Sequence, residues 1–176
     1  MSIKNVFITG PIHSGKSTIL NKVITEFHGL EIGGFRTLPI YQNDQRNGFF
    51  LESLDGVKKC FAHIDMMTNN QFNAYKFDYD IFESFGVQIL ENALGKSDII
   101  LMDEIGLMER KAMKFRKMII KCLDAPQFVL GVCQERAAWF LKILQAREDT
   151  KIFSIQNDNR NSIPDKIIAF IFLSLS

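Results

Sequence analysis

The chain contains only three cysteines among its 176 residues, and Cys60, Cys122 and Cys133 stand far apart. A disulfide framework needs an even set of cysteines and a zinc site needs closely spaced pairs, so the sequence predicts neither. An odd number of widely spaced thiols is typical of a reducing compartment. We therefore expect a cytoplasmic location.

Long apolar runs are also missing. The longest run near the C-terminal end, Ile167–Leu173, has seven residues, whereas a transmembrane helix needs about 20. The apolar run at the N-terminal end is too short for a secretion signal, and no small-residue cleavage site follows it. We expect no membrane partner, and we interpret the late run as the buried end of a C-terminal helix.

Neither sign of charge is in excess. Lys and Arg total 21 against 20 for Asp and Glu, which leaves a formal net charge of +1. Such a balance gives no long-range attraction for nucleic acid, so we expect no nucleic-acid partner. One helix carries a basic stripe, which we interpret as a solvated face: Arg110, Lys111, Lys114, Lys117 and Lys121.

No linker divides the chain, because its four prolines and 11 glycines are scattered rather than clustered. The length and this even composition predict a single domain over residues 1–176. A monomer is favoured, but the sequence leaves the oligomeric state open. The 16 phenylalanines are more simply explained as core residues than as an aromatic recognition surface.

Strand and helix patterns alternate along the chain, which predicts an α/β fold. The predicted core strands are Asn5–Thr9, Ile32–Ile40, Asp98–Met102, Phe128–Cys133 and Lys151–Ile155. The predicted helices are Thr18–Phe27, a segment from Asp78 or Asp80 to Leu94, Lys111–Leu123, Ala137–Ala146 and Ile163–Leu173. This order predicts a three-layer α/β/α sandwich with a mostly parallel sheet.

The segment near residues 37–62 departs from the alternation and is interpreted as a small antiparallel insertion at one edge of the sheet. It contains two extended runs, Gly48–Leu54 and Val57–Ala62, joined by Asp55-Gly56. That dipeptide is typical of a two-residue hairpin loop in which both residues have φ > 0.

A phosphate-binding loop is the strongest motif in the sequence. The stretch Gly10-Pro11-Ile12-His13-Ser14-Gly15-Lys16-Ser17 matches the pattern G-x-x-x-x-G-K-[ST], between a predicted strand and a predicted helix. Backbone N–H groups of such a loop, and of the helix start at Thr18, surround the phosphates. The predicted nucleotide-binding residues are therefore Gly10, Pro11, Ile12, His13, Ser14, Gly15, Lys16, Ser17 and Thr18. Lys16 would contact the β and γ oxygens, and the Ser17 hydroxyl would be a Mg²⁺ ligand.

A pair of carboxylates, Asp103 and Glu104, ends the buried strand that starts at Asp98. Acids at the end of a buried strand are costly unless a cation compensates them. With the phosphate loop present, we predict that Asp103 and Ser17 hold Mg²⁺. Glu104 would then activate a water molecule for attack on the γ-phosphorus.

Four arginines are weaker candidates. Arg160 could stabilise negative charge in the transition state, or it could be a surface residue before the last helix. Arg36 and Arg46 lie in the inserted strands and could approach phosphates. Arg136, shortly after the strand that ends at Cys133, is a candidate lid residue. No base is identifiable beside Cys133, so we do not favour it as a nucleophile.

With these motifs in this order, the sequence resembles the THEP1-type nucleoside-triphosphatase family. The most specific matching block is Asp103-Glu104-Ile105-Gly106-Leu107-Met108-Glu109. Other matching segments, in chain order, are Gly10–Ser17, Gly34-Phe35-Arg36-Thr37, Arg46-Asn47-Gly48-Phe49 and Asn159-Arg160. The resemblance implies a P-loop NTPase fold and Mg²⁺-dependent hydrolysis of ATP, GTP and other nucleoside triphosphates to diphosphates.

The chain departs from the family in two places. Leu107 stands where the family usually has a lysine, and Ile12-His13-Ser14 replaces a smaller, glycine-containing middle of the phosphate loop. Two alternative functions stay open from the residues alone. A nucleoside or nucleotide kinase of the same fold would share these residues and add an acceptor pocket. A non-hydrolytic switch would bind nucleotide and act through a partner.

Overall fold

A computed structural model of the chain describes residues 3–156 and 161–175. Within these residues, nine strands form one sheet. Their bounds are Asn5–Thr9 (β1), Ile32–Gln42 (β2), Gln45–Ser53 (β3), Lys58–His63 (β4), Gln71–Phe72 (β5), Tyr75–Phe77 (β6), Ile99–Ile105 (β7), Phe128–Cys133 (β8) and Thr150–Ser154 (β9). Their order across the sheet is β5-β6-β4-β3-β2-β7-β8-β1-β9.

The helices cover both faces of this sheet. They are Lys16–Ile24 (α1), Val87–Lys96 (α2), Met113–Asp124 (α3), Ala138–Gln145 (α4) and Ile163–Leu175 (α5). A π-helical turn at Ile81–Gly86 leads into α2, and a 3₁₀ turn at Met108–Lys111 precedes α3. Among the described helices, none is long and apolar enough to cross a membrane.

The central strands are buried on both sides, as their continuous apolar runs predict. In β1, Phe7 packs into the core under α2, α3 and α4, whereas Val6 and Ile8 pack into the core under α1 and α5. The edge of the Phe7 ring meets the Phe140 ring of α4, with their centroids 5.3 Å apart. The three-layer α/β/α prediction is therefore confirmed.

Strand β9 is a correction to the expected set of core strands. It pairs in parallel with β1 only and lies at the edge of the sheet. Its residues are half-buried or exposed, and only Ile155, just beyond its end, is buried. The apolar run Lys151–Ile155 signalled a strand but not its place in the sheet, which depends on chain topology.

The insertion shares a strand with the parallel sheet. The first half of β2 pairs in parallel with β7, and from Phe35 onward β2 pairs antiparallel with β3. The antiparallel part continues through β4, β6 and β5, so it reaches Phe77, beyond the predicted limit near residue 62.

The two-residue loop of the insertion does not lie where it was predicted. Of the Asp55-Gly56 pair, only Gly56 has a positive φ, 91°, and its N–H donates to the Ser53 carbonyl at 2.9 Å. The two-residue loop with both φ angles positive lies instead between β2 and β3, at Asn43 (50°) and Asp44 (59°). Asn and Asp tolerate this region better than other residues with a Cβ, because their side chains bond to nearby backbone.

Phenylalanine rings join the insertion to the helical layer. The Phe61 ring of β4 lies 4.7 Å from the Phe82 ring of the π-helical turn. Phe82 lies 5.3 Å from Phe115 of α3, which in turn lies 5.4 Å from Phe35 of β2. Stacked and tilted aromatic pairs at these separations add about 0.5–1.5 kcal/mol each beyond burial. The inserted strands are thus packed firmly on the same core as the parallel sheet.

Candidate active site

The phosphate loop and the acidic pair meet at the carboxyl ends of the central parallel strands. The loop follows β1, and Asp103 and Glu104 lie near the end of β7, with β8 between the two strands. Because β1, β8 and β7 are parallel, their carboxyl ends lie side by side. The Ser17 hydroxyl donates to Asp103 Oδ1 at 3.0 Å, which joins residues 86 positions apart in the sequence.

The Lys16 ammonium is held within the loop. The side chain is buried, and Nζ donates to the carbonyls of Gly10 at 3.0 Å and Pro11 at 2.8 Å. Gly15 precedes α1 with a φ of 85°. These contacts place a cation and the first turn of a helix at the same end of β1, which is the arrangement that binds polyphosphate.

Eight of the nine predicted nucleotide-binding residues line one cleft of about 570 Å³, and they are Gly10, Pro11, Ile12, His13, Gly15, Lys16, Ser17 and Thr18. Ser14 does not line the cleft. Its hydroxyl is buried and has no hydrogen-bond partner in the described part of the chain. Ile12 and His13 are exposed at the loop tip, and His13 has a φ of 64°.

Asp103 is a buried carboxyl group. Burial raises its pKa to about 6, while the hydrogen bond from Ser17 acts in the opposite direction. The negative charge of Glu104 raises the pKa further, and the cations Arg36 and Lys16 lower it. An ionised carboxylate here therefore lacks full compensation from the protein, and a divalent cation would supply it.

The oxygens of Ser17 and Asp103 fit Mg²⁺. The described residues contain no group of three His, Cys, Asp or Glu side chains that would form a closed metal site. Mg²⁺ in phosphate-handling proteins commonly takes only one or two protein oxygens and completes its octahedron with phosphate oxygens and water. One hydroxyl and one carboxylate in hydrogen-bond contact are consistent with that pattern.

Glu104 faces the same cleft and is half-buried. Its Oε1 accepts a hydrogen bond from the Nε2 of Gln134, the first residue after β8. No sequence pattern singles out Gln134, because a lone glutamine after a strand is a common surface residue. Only the sheet order, which places β8 between the phosphate loop and β7, brings it to the site.

Glu109 is a carboxyl group that the sequence analysis did not assign to the site. It lies in the cleft wall, is 4% exposed, and accepts the Gly106 N–H at 3.1 Å. Burial raises the pKa of Glu109 to about 7; its own N–H and that of Gly106 oppose the shift, and the charge of Glu104 adds to it. Glu109 ends the sequence block that starts at Asp103, and its place in that block is the sequence feature that could have assigned it to the site.

The opposite wall of the cleft is aromatic and comes from the inserted strands. It contains Phe49, Phe61, Phe72 and Tyr75, together with Thr37, Arg46 and Asn73. The interpretation of the phenylalanines as core residues alone was incomplete, since some of them also line the cleft. A volume of about 570 Å³ lies within the usual range for small-molecule sites.

Two of the four candidate arginines line the cleft. Arg46 and Arg136 line the cleft, and the Arg46 guanidinium lies 5.2 Å from the centre of the Phe49 ring. Arg36 is not part of the cleft lining; its Nη2 donates to Asn21 at 2.9 Å. Arg160 lies outside the described residues, as does its neighbour Asn159 in the family motif.

The remaining candidates agree with their sequence-based interpretations. The basic stripe on and before α3 is exposed along its whole length. Cys133 is buried, and burial raises the pKa of its thiol to about 12, which keeps it protonated and unreactive at neutral pH. Leu107 lines the cleft, so the family's usual lysine charge is absent from this wall.

A parallel sheet with this strand order, a phosphate loop after β1 and an acidic pair ending β7 define a P-loop nucleoside-triphosphate-binding domain. The family model described as NTPase matches residues 5–168. The nucleoside-triphosphatase THEP1 of Thermotoga maritima is 30% identical over 166 residues, covering 94% of each chain. The chain therefore belongs to the THEP1 nucleoside-triphosphatase family.

Relatives from other organisms agree with this assignment. The human cancer-related nucleoside-triphosphatase is 26% identical over 183 residues, with 96% of both chains covered. Its solution structure has a TM-score of 0.78 to this chain over 96% of this chain and 97% of that one. The crystal structure of THEP1 from Aquifex aeolicus has a TM-score of 0.79 at 24% identity, covering 94% and 97%, and supports the fold.

Proposed function

We propose that this chain hydrolyses nucleoside triphosphates to diphosphates and phosphate, and that the reaction takes place in the cleft between the phosphate loop and the acidic pair. The single observation that carries the proposal is the hydrogen bond from Ser17 to Asp103. It joins the phosphate-binding element to the carboxylates needed for metal binding and water activation. The relatives named above are nucleoside-triphosphatases, so neither the kinase nor the switch alternative is favoured.

Binding of the triphosphate would rest on the loop amides and on Lys16. The ammonium, which contacts the carbonyls of Gly10 and Pro11 at 2.8–3.0 Å, would exchange these neutral acceptors for β and γ phosphate oxygens. The bonds of the ammonium to carbonyls are already charge-assisted, and a phosphate oxygen adds the attraction of a second, opposite charge. The exchange is therefore favourable and orients the γ-phosphate toward β7.

Ser17 and Asp103 would hold Mg²⁺ between the loop and the acidic pair. When bound, the cation supplies charge compensation for the β and γ oxygens and for the Asp103 carboxylate. The raised pKa of Asp103, caused by burial, is the mark of a carboxyl group whose ionised form needs such a partner. Arg160 remains a candidate for further stabilisation of the transition state.

Glu104 would act on the attacking water. Its carboxylate lies beside Asp103 and faces the cleft, so one of its oxygens can accept a proton from a water molecule in line with the γ-phosphorus. A positioned general base contributes about 10²–10⁴-fold to a rate. The proton passes to Glu104 as the water oxygen bonds to phosphorus and the bond to the β-phosphate oxygen breaks.

The test is phosphate release from ATP and GTP with Mg²⁺, for the wild type and Glu104→Gln. We expect kcat to fall by roughly 10²–10⁴-fold with KM changed by less than about twofold, because the amide keeps the shape but cannot take the proton. Glu91→Gln, at an exposed position of α2, is the matched control. Equal rates for Glu104→Gln and the wild type would show that Glu104 is not the base.

A second assay addresses the reaction type. Nucleosides and nucleoside monophosphates are added one at a time with ATP and Mg²⁺, and diphosphate and free phosphate are both measured. For a hydrolase, the amount of free phosphate equals the amount of nucleoside diphosphate formed, whichever compound is added. Diphosphate in excess of free phosphate with one acceptor would identify a kinase instead.

A further inference from the structure

Gln134 lies at the carboxyl end of β8, at the end of the sheet where the site lies. It follows β8, which runs between β1 and β7, so it lies at the same end of the sheet as the phosphate loop and the acidic pair. The side chain is half-buried and lines the cleft. Its Nε2 donates to Glu104 Oε1.

The backbone of Gln134 is fixed on both sides. Its N–H donates to the Ile105 carbonyl of β7 at 2.9 Å, and its own carbonyl accepts the N–H of Ala137, just before α4, at 2.9 Å. These bonds hold the residue beside the end of β7. The carboxamide is therefore presented to Glu104 from a rigid backbone rather than from a loose loop.

Gly106 leaves the space that the Gln134 carboxamide needs. A Cβ on Gly106 would lie 2.6 Å from the Cδ and the Oε1 of Gln134, closer than side-chain atoms approach one another. Gly106 is itself fixed, because its carbonyl accepts the Trp139 indole N–H at 2.9 Å and its N–H donates to Glu109. The local fold thus provides a fitted place for one carboxamide next to one carboxylate.

We propose that Gln134 is the positioning residue for Glu104: it holds Oε1 and leaves Oε2 directed to the attacking water. Among the described residues, none donates a hydrogen bond to Oε2 of Glu104. A carboxylate with one oxygen held by a donor loses rotational freedom, and a base must lie within hydrogen-bond reach of the proton that it accepts. The proposal rests on the proposed function of Glu104 as the base.

The experiment compares Gln134→Met with the wild type in steady-state phosphate release. Methionine keeps the length of the side chain and cannot donate. We expect kcat to fall roughly 10- to 100-fold, as for a misplaced catalytic group, with KM within about twofold. Gln127→Met is the matched control, since Gln127 is also half-buried and also donates a single bond, to the Leu94 carbonyl at 2.9 Å, away from the cleft. It should leave kcat unchanged.

A double-mutant cycle with Glu104→Gln separates positioning from a structural role. If Gln134 acts through Glu104, then Gln134→Met added to Glu104→Gln leaves the residual single-turnover rate within about twofold. An equal loss in both backgrounds, a rise in KM in place of the fall in kcat, or a wild-type kcat in Gln134→Met would overturn the proposal. Gln134→Leu, which is uncharged and cannot donate, repeats the test if the methionine variant unfolds.

The outcomes also separate this proposal from the proposed function. If Glu104→Gln is as active as the wild type, the assignment of the base fails. If Glu104→Gln is inactive and Gln134→Met is fully active, hydrolysis by Glu104 stands and only the role of Gln134 is refuted.

Discussion

Glu109 should make the protein less stable as the pH rises toward neutrality. Burial raises the pKa of its carboxyl from an ordinary value of 4.5 to about 7, so the folded chain binds this proton more tightly than the unfolded chain does. The resulting stability is fully present below pH 4.5 and is lost as the pH rises through about 7. This rise in the pKa corresponds to about 3 kcal/mol of folding free energy, since each tenfold change in proton affinity is about 1.4 kcal/mol.

The perturbation is Glu109→Gln, which keeps the acceptor for the Gly106 N–H and removes the titration. We expect the variant to gain about 3 kcal/mol on the wild type between pH 4.5 and pH 8, or roughly 6–12 °C in Tm. The assay is urea and thermal unfolding at several pH values with a chelator present. Asp103, whose pKa burial also raises, remains in both proteins, so its contribution cancels in the difference.

Glu91→Gln is again the control, because Glu91 is exposed on α2. Its stability should follow the wild type at every pH. Parallel curves for Glu109→Gln and the wild type across this range would refute the reasoning, since they would mean that Glu109 ionises in the folded chain as easily as in the unfolded one.

Three further outcomes follow from the same contacts. Lys16→Met should weaken Mg²⁺–nucleotide binding by about 10- to 100-fold in calorimetry, because charge-assisted bonds to phosphate are lost; unchanged affinity would contradict the proposed role of the loop. The chain has one tryptophan, and because the Trp139 indole bonds to Gly106 in the site, its fluorescence should change saturably with Mg²⁺–nucleotide. A flat signal at concentrations where calorimetry detects binding would show that the site and the indole are not coupled. Phe82→Ala should cost about 3–5 kcal/mol in denaturant unfolding, since the buried ring joins the insertion to α3; a loss below about 1 kcal/mol would mean that the cluster can collapse around the gap.

The elements of the parallel sheet could be predicted from the sequence because their signals are local. Asn5–Thr9 and Phe128–Cys133 are observed with the predicted bounds, since continuous apolar runs mark strands buried on both faces. The order of strands is not local. The pattern of Lys151–Ile155 predicts a strand but not its place at the edge, because only the tertiary topology decides which strands have two neighbours.

The site shows the same division. The phosphate loop and the acidic pair are contiguous motifs whose chemistry can be recognised from spacing, and the structure brings Ser17 and Asp103 into contact. Gln134 and Glu109 carry no such pattern, because their roles depend on the sheet order and on burial. The sequence contains two turn signals, Asn43-Asp44 and Asp55-Gly56, and the residue types alone do not show which pair forms the loop with both φ angles positive.

Strand β2 imposes a constraint on how this molecule can diverge. One continuous backbone carries the pairing with β7 in its first half and the pairing with β3 in its second half. Insertion or deletion of a single residue between the two halves would turn every following side chain to the other face of the sheet. Substitution can therefore change the half-buried rings of the cleft, Phe49, Phe72 and Tyr75, while the register that links this side of the cleft to β7 stays fixed.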